Sequence, residues 1–156
     1  MRLFFAAAIA IGVTATLVLA SCGEPSTAAP EHDVTTDAWY AQTLQQLTEM
    51  NRTAERDFAG GKPDEASALI EKGEPLASQL LSVPRPNLAA MVAASDVDFL
   101  YGRMLLSNRH YEWARLMFQK CLARWKYWKP ETPDTLRRMA EASAAIDDCD
   151  RGMSHQ

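Results

Sequence analysis

The side chains that could carry chemistry in this sequence of 156 residues are three histidines, three cysteines and one dense run of aromatic and cationic residues. His32, His110 and His155 lie far apart in the chain, and none has a second ligand at a metal-binding spacing. The sequence holds no His-Glu-x-x-His, no nucleophile elbow and no phosphate loop, so no motif points to catalysis, to a metal or to a cofactor. Asp147-Asp148-Cys149-Asp150 lacks the spacing of a calcium loop and reads as the solvated end of a helix. Arg124-Trp125-Lys126-Tyr127-Trp128-Lys129 is the most unusual segment. Trp125 falls on a core stripe, and cations suit a helix C-terminus. Lys126, Tyr127, Trp128 and Lys129 exceed those needs. Such a cluster suits a protein partner or, in a second reading, the headgroup layer of a membrane.

Cys22 has a different context. Arg2 is the one charged residue before Glu24, and residues 3–21 are apolar or small. A short positive start, an apolar middle and a small-residue exit form the pattern of a secretory signal. The exit, Leu19-Ala20-Ser21-Cys22, resembles the lipobox of bacterial lipoproteins. The resemblance implies cleavage before Cys22, lipid on its thiol and a lipid-anchored protein facing the periplasm or the cell exterior. Two or three acyl chains there give stable anchorage, where one holds only marginally. Gly23 stands where an Asp would resemble inner-membrane retention, so in a cell with two membranes the resemblance leans to the outer one. The competing reading is an uncleaved helix, since about 20 apolar residues just span a bilayer.

Cleavage leaves 135 residues, room for one domain. Without Arg2, 15 basic face 20 acidic side chains, a net charge of −5. An exported acidic domain is poorly suited to nucleic acid, whose binding rests on neutralising phosphates. Residues 22–37, with Pro25 and Pro30 and no apolar period, read as a flexible tether, and 151–156 as a tail.

From Ala38 to Asp150 the apolar residues recur at helical spacing, with no strict alternation, so the domain is expected to be all-α with about five helices. The first stripe is Tyr40, Leu44, Leu47, Ala54 and Phe58, with Asn51 its polar member. After Gly60-Gly61-Lys62-Pro63 a second runs from Ala66 through Ile70, Gly73 and Ala77 to Leu81 and keeps its phase across Pro75, which predicts one kinked helix. The third is Leu88, Met91, Val92, Phe99, Gly102, Leu105 and Leu106, leaving Ala90 off the stripe. The fourth runs from Tyr111 through Ala114, Phe118 and Cys121 to Trp125. The fifth starts near Pro133 with Thr132 as N-cap and is expected to bury Leu136, Met139, Ala140 and Ile146.

Cys121 and Cys149 remain after Cys22 is lipidated. An even pair in an oxidising compartment suggests a disulfide. In a simple hairpin turning near residue 130, however, Cys121 lies about 8 Å before the turn and Cys149 about 24 Å after it. A disulfide requires Cα atoms within about 7 Å.

Helices one and two look like an earlier copy of helices three and four, offset by 48 residues: Ala54 maps to Gly102, Phe58 to Leu106, Ala66 to Ala114 and Ile70 to Phe118. Gly in a helix costs about 1 kcal/mol relative to Ala, so Gly102 needs a reason. Close approach to Ala114, opposite it in an antiparallel hairpin, would supply one. The second hairpin resembles a tetratricopeptide repeat through Gly102, Leu105, Ala114 and Phe118. The family's period of about 34 residues is not matched, and Asp98 falls where the family carries an aromatic. The resemblance implies antiparallel helical hairpins, stacked as a short solenoid or a bundle. Grooves between such hairpins bind peptides or partner helices. The expected function is a non-catalytic binding or assembly protein of the bacterial envelope, with an unidentified envelope protein as partner. The competing expectation is a small envelope enzyme or enzyme inhibitor whose site forms no motif.

Overall fold

The computed structural model describes residues 32–155. It is all-helical: α1 (Ala38–Ala59), α2 (Pro63–Leu81), α3 (Leu88–Ser107), α4 (Tyr111–Lys126) and α5 (Pro133–Ser154), preceded by a 3-10 turn, Val34–Thr36. The signal segment and Cys22 lie outside the described residues. The expected tether is ordered at its end, where Asp33 caps the 3-10 turn by accepting from Thr35 N and Thr35 Oγ1. Those bonds hold the Asp33 carboxyl below the usual carboxylate range. The expected tail is helical as far as Ser154.

Three helix starts have a local cause. Asn87 accepts from Ala90 N at 2.9 Å to start α3. Thr132 accepts from Thr135 N and Thr135 Oγ1 accepts from Thr132 N, a reciprocal cap that starts α5 ahead of Pro133. Pro63 opens α2, while Pro75 sits inside it without ending it.

Successive helices pack as antiparallel hairpins, and α1 also packs along α3. Asn51 Nδ2 donates to Ala93 O at 2.8 Å, and Arg103 reaches Glu55 at 2.8 Å, so α1 and α3 run the same way. Since α4 runs back along α3 and α5 back along α4, α5 is parallel to α3. Two cores result. Tyr40, Leu47, Ile70, Leu80 and Leu100 anchor one between α1, α2 and α3. Phe118, Ala114 and Cys149 anchor the other with Phe99 and Ile146 packed on them.

The 48-residue offset is structural. Gly61 N and Lys62 N donate to Phe58 O and Asp57 O; Arg109 N and His110 N donate to Leu106 O and Leu105 O. Both hairpins thus end their first helix with the same Schellman turn, shifted by 48 positions. The left-handed residue is Gly61 in the first (φ 75°) and Arg109 in the second (φ 61°). Gly102 is the point of close approach between α3 and α4, but its neighbour is the Phe118 ring and not Ala114. A Cβ on Gly102 would lie 2.7 Å from Phe118 Cε1. Gly152 plays the same part between α5 and the Tyr111 ring, a contact the apolar pattern did not reveal.

Two expectations about faces are corrected. Ala90 is fully buried, as are Ala94, Val97 and Leu100, because α3 is covered by α1, α2 and α4 on several sides and its buried positions do not fall on a single stripe. On α5 the buried positions are Thr135, Ala142 and Cys149, while Leu136 is 49% exposed and Ala140 is exposed. The Thr132–Thr135 cap turns Thr135 inward and sets that phase.

The Phe118 ring cannot retreat from residue 102, being fully buried and in edge contact with Phe99 at 5.1 Å. Gly102→Ala should therefore lower stability by about 1–3 kcal/mol. Ala68→Leu, on the exposed side of α2, should change it by less than about 0.5 kcal/mol. Arg109→Gly should raise stability by about 0.5–1 kcal/mol by relieving the left-handed backbone. Urea unfolding of the three variants measures all of these, and equal midpoints for Gly102→Ala and wild type would refute the close approach.

Candidate functional site

The central helix presents its two sides to two clefts. On one side α1, α3 and α5 form an inner cleft with an apolar and a charged half. The apolar half is a trough of about 930 Å³ floored by Leu88, Ala89, Val92 and Ala93 of α3, with Thr48, Asn51 and Arg52 of α1 opposite. Leu88 is partly exposed there. Glu55 and Asp96 line both halves and join them. The charged half, about 410 Å³, adds Arg103, Arg137, Arg138 and Glu141.

Every carboxylate lining that charged half is bonded to an arginine. Glu55 accepts from Arg103, Glu141 from Arg137 at 2.6 Å, and Asp96 from Arg138 at 2.6 Å. Arg138 also holds Asp134 and lies over the Trp125 ring, 5.6 Å from its centroid. Burial pushes the Asp96 carboxyl above its usual range against the pull of Arg138. Asp134, which accepts from both Arg138 and Arg137, is held below that range. The surface is a paired mosaic of charge beside an apolar trough, suited to holding a segment with both kinds of side chain.

On the other side of α3, a cleft of about 530 Å³ opens between α2 and α4. Its base is a buried ion cluster. Asp98 accepts from Lys120 Nζ at 2.7 Å and from Arg124 Nη2 at 2.8 Å; the Asp98 and Arg124 side chains are each 8% exposed. Further along α4, Trp113 is 63% exposed and Leu116 is exposed beside it.

Three side chains pin α4 to α3 next to this cluster. Trp125 Nε1 donates to Ser95 Oγ at 3.0 Å, and Cys121 Sγ donates to Ser95 O at 3.6 Å. Burial, then the nearby Asp98 charge, pushes the Cys121 thiol up to about 11. Burial, then the charges of Asp150 and Asp148, raises the Cys149 thiol. The disulfide that the sequence left open between Cys121 and Cys149 is not formed: both cysteines are free and buried. Cys149 packs with Ala114 and Phe118, and Asp150 reaches Arg115, so Cys149 sits one to two helical turns from the level of Cys121, which faces α3.

Of the aromatic and cationic run, Trp125 is core, as its stripe predicted. Tyr127 is 77% exposed with Lys126 over its ring, Trp128 is half-buried and Lys129 pairs with Glu131. None of Lys126, Tyr127, Trp128 and Lys129 lines either cleft. Nor do the histidines; His32 bonds Asp37 at 2.8 Å, and His110 and His155 are exposed. Asp148 pairs with Arg151 and Asp150 with Arg115 on the surface of α5. Among the described residues no three His, Cys, Asp or Glu side chains converge as metal ligands, and no helix is long and apolar enough to cross a membrane.

Sequence reasoning missed the charged residues of both clefts, although two signals were present. Glu55 and Arg103 are separated by the same 48 residues as the repeat, so equivalent positions carry opposite charges. Asp98, where the resemblance called for an aromatic, is a buried carboxylate between Val97 and Phe99 of α3. Comparison with family models, with curated proteins and with solved structures finds no match.

Asp98→Asn leaves Arg124 as a buried cation without its countercharge, and should lower stability by about 3–5 kcal/mol. Asp96→Asn should cost far less, because Arg138 keeps Asp134 and burial already opposes ionisation of Asp96. A carboxyl raised on folding stabilises below its unfolded pKa and loses that contribution as pH rises through the folded value. The stability of wild type relative to Asp96→Asn should therefore fall as pH climbs above about 4. Urea midpoints measured across pH test both; a larger loss for Asp96→Asn than for Asp98→Asn would reverse the assignment of the structural pair.

Proposed function

We propose that this chain is a non-catalytic, lipid-anchored binding module of the bacterial envelope, which holds a segment of a partner protein in the inner cleft. The anchor rests on Leu19-Ala20-Ser21-Cys22 following an apolar run. The lipidated Cys22 would hold the domain on a membrane, facing the periplasm or the exterior, with the outer membrane favoured by Gly23.

The single observation behind the binding role is the joining of an apolar trough to a charged cleft across three parallel helices. A segment with apolar side chains at helical spacing would cover Leu88, Ala89 and Val92, and its polar residues would meet Arg103, Arg137 and Glu141. Such a partner gains affinity from the desolvated trough and register from the arginines. Tyr127 offers a second surface, favoured by its exposure beside Lys126.

Two measurements test this reading in intact cells. Labelling with a fatty-acid analogue should mark the wild type and not Cys22→Ala; equal labelling would remove the anchor. A photo-crosslinking residue at Val92 should give one discrete adduct that Ala89→Asp abolishes, and one at Tyr127 should give none. An adduct only from Tyr127 would move the partner to the α4–α5 turn, and adducts from neither would overturn the binding role.

A further inference from the structure

The start of α1 and the α4–α5 turn lie at the same end of the domain. Asn87 N donates to Tyr40 Oη at 3.3 Å, so α1 begins beside the α2–α3 connection. Trp125 bonds Ser95 on the antiparallel α4, and Arg138 bonds Asp96 on the parallel α5. Leu88 is about 10 Å from those bonds toward the start of α3, which brings it level with the α4–α5 turn. The α1–α2 and α3–α4 turns form the opposite end. The shared end carries Tyr127, the most exposed large apolar side chain among the described residues at 77%, and Leu136 in the first turn of α5. Lys126 lies over the Tyr127 ring.

We propose, on the basis of the lipid anchor at Cys22, that this end docks on a zwitterionic phospholipid bilayer, with Tyr127 and Leu136 in the headgroup layer. Chain length favours this end. Ten residues lead from Cys22 to His32, a reach of at most about 36 Å in any conformation. The opposite end is about 33 Å away along the 22 residues of α1 and would take nearly all of that reach. The chemistry favours lipid. Tyr127 and Lys126 line neither cleft, and a headgroup layer accepts amphipathic rings and cations without a matched pocket. The carboxylates at the turn are already paired, Glu131 with Lys129 and Asp134 with Arg137 and Arg138. Contact therefore rests on the rings more than on charge, and a zwitterionic surface suffices.

The test uses the full lipidated chain in phosphatidylcholine nanodiscs that carry a gadolinium-chelate headgroup lipid, with broadening of amide NMR signals as the readout. Residues 126–136 should broaden as strongly as 33–39, and far more than the opposite turns, 59–62 and 107–110. Tyr127→Ser combined with Leu136→Ser should reduce broadening at 126–136 to the level of the opposite turns, while 33–39, next to the anchor in sequence, stay broadened. Both side chains are exposed, so the variant folds, and its amide spectrum verifies this. Trp113→Ser, at an equally exposed aromatic near the opposite end, should change nothing. Broadening at 126–136 no greater than at the opposite turns, unchanged in the double variant, or lost in Trp113→Ser would each overturn the docking. A protein adduct from a photo-crosslinking residue at Tyr127 in cells would assign the surface to a partner protein instead. Intact mass of the same sample tests the anchor separately. Acyl chains present without broadening at 126–136 remove the docking and leave the anchor; acyl chains absent remove both.

Discussion

A carboxylate enclosed by protein must be met by cations and hydrogen-bond donors, and the position of Asp98 imposes that demand at the centre of this domain. Asp98 sits on α3, which packs against α1, α2 and α4. Arg124 and Lys120, both on α4, meet it. The ion pair is buried on both sides, so breaking it leaves a charge in low dielectric, and α4 is held in one register against α3. Trp125 and Cys121 bond to Ser95 one turn earlier on α3 and fix the same register by a neutral route. Once α4 is set, the second core closes over Phe118, and α5 docks on α4 with Arg138 over Trp125 and Asp150 on Arg115.

Enclosing α3 has a consequence for its composition. A helix flanked by three others needs small residues wherever a neighbour comes close, and α3 supplies Ala90, Ala93, Ala94, Ser95 and Gly102 at buried positions. Its large residues, Leu100 and Met104, fill the first core, while Phe99 turns to the second. The two sides of α3 left between its neighbours become the floors of the two clefts. Both clefts therefore depend on one helix, and a change in its packing reaches both.

The two hairpins share a turn and diverge in chemistry. In each, a left-handed residue releases the first helix, and its neighbours satisfy the last carbonyls in the same pattern. Gly61 adopts that backbone without strain, whereas Arg109 carries a Cβ into it. Glu55 and Arg103, equivalent by the 48-residue offset, carry opposite charges and bond to each other across α1 and α3. The repeat thus joins its own copies through positions that differ in sign.

The residue pattern alone determined the five helices, their turns, the cap at Thr132, the helix start at Pro63, the uninterrupted run across Pro75 and the need for a small residue at Gly102. These are local matters: caps and turns are settled within about four residues, and a helix with one covered side shows its stripe directly. Helix α3 defeated that logic, because a helix covered on several sides has no stripe and hid the burial of Ala90, Ser95 and Asp98. The face of α5 was misplaced because a threonine cap, and not the leucine beside it, sets which side turns inward. The pairing of the cysteines depended on axial level and facing, which place Cys121 against α3 and Cys149 against Phe118. The clefts and their ion pairs were decided by tertiary structure alone. The pairs between helices, Glu55 with Arg103, Asp96 with Arg138 and Asp98 with Lys120 and Arg124, join residues 22 to 48 positions apart, and only the packing of α3 against its neighbours brings those positions within reach of a hydrogen bond.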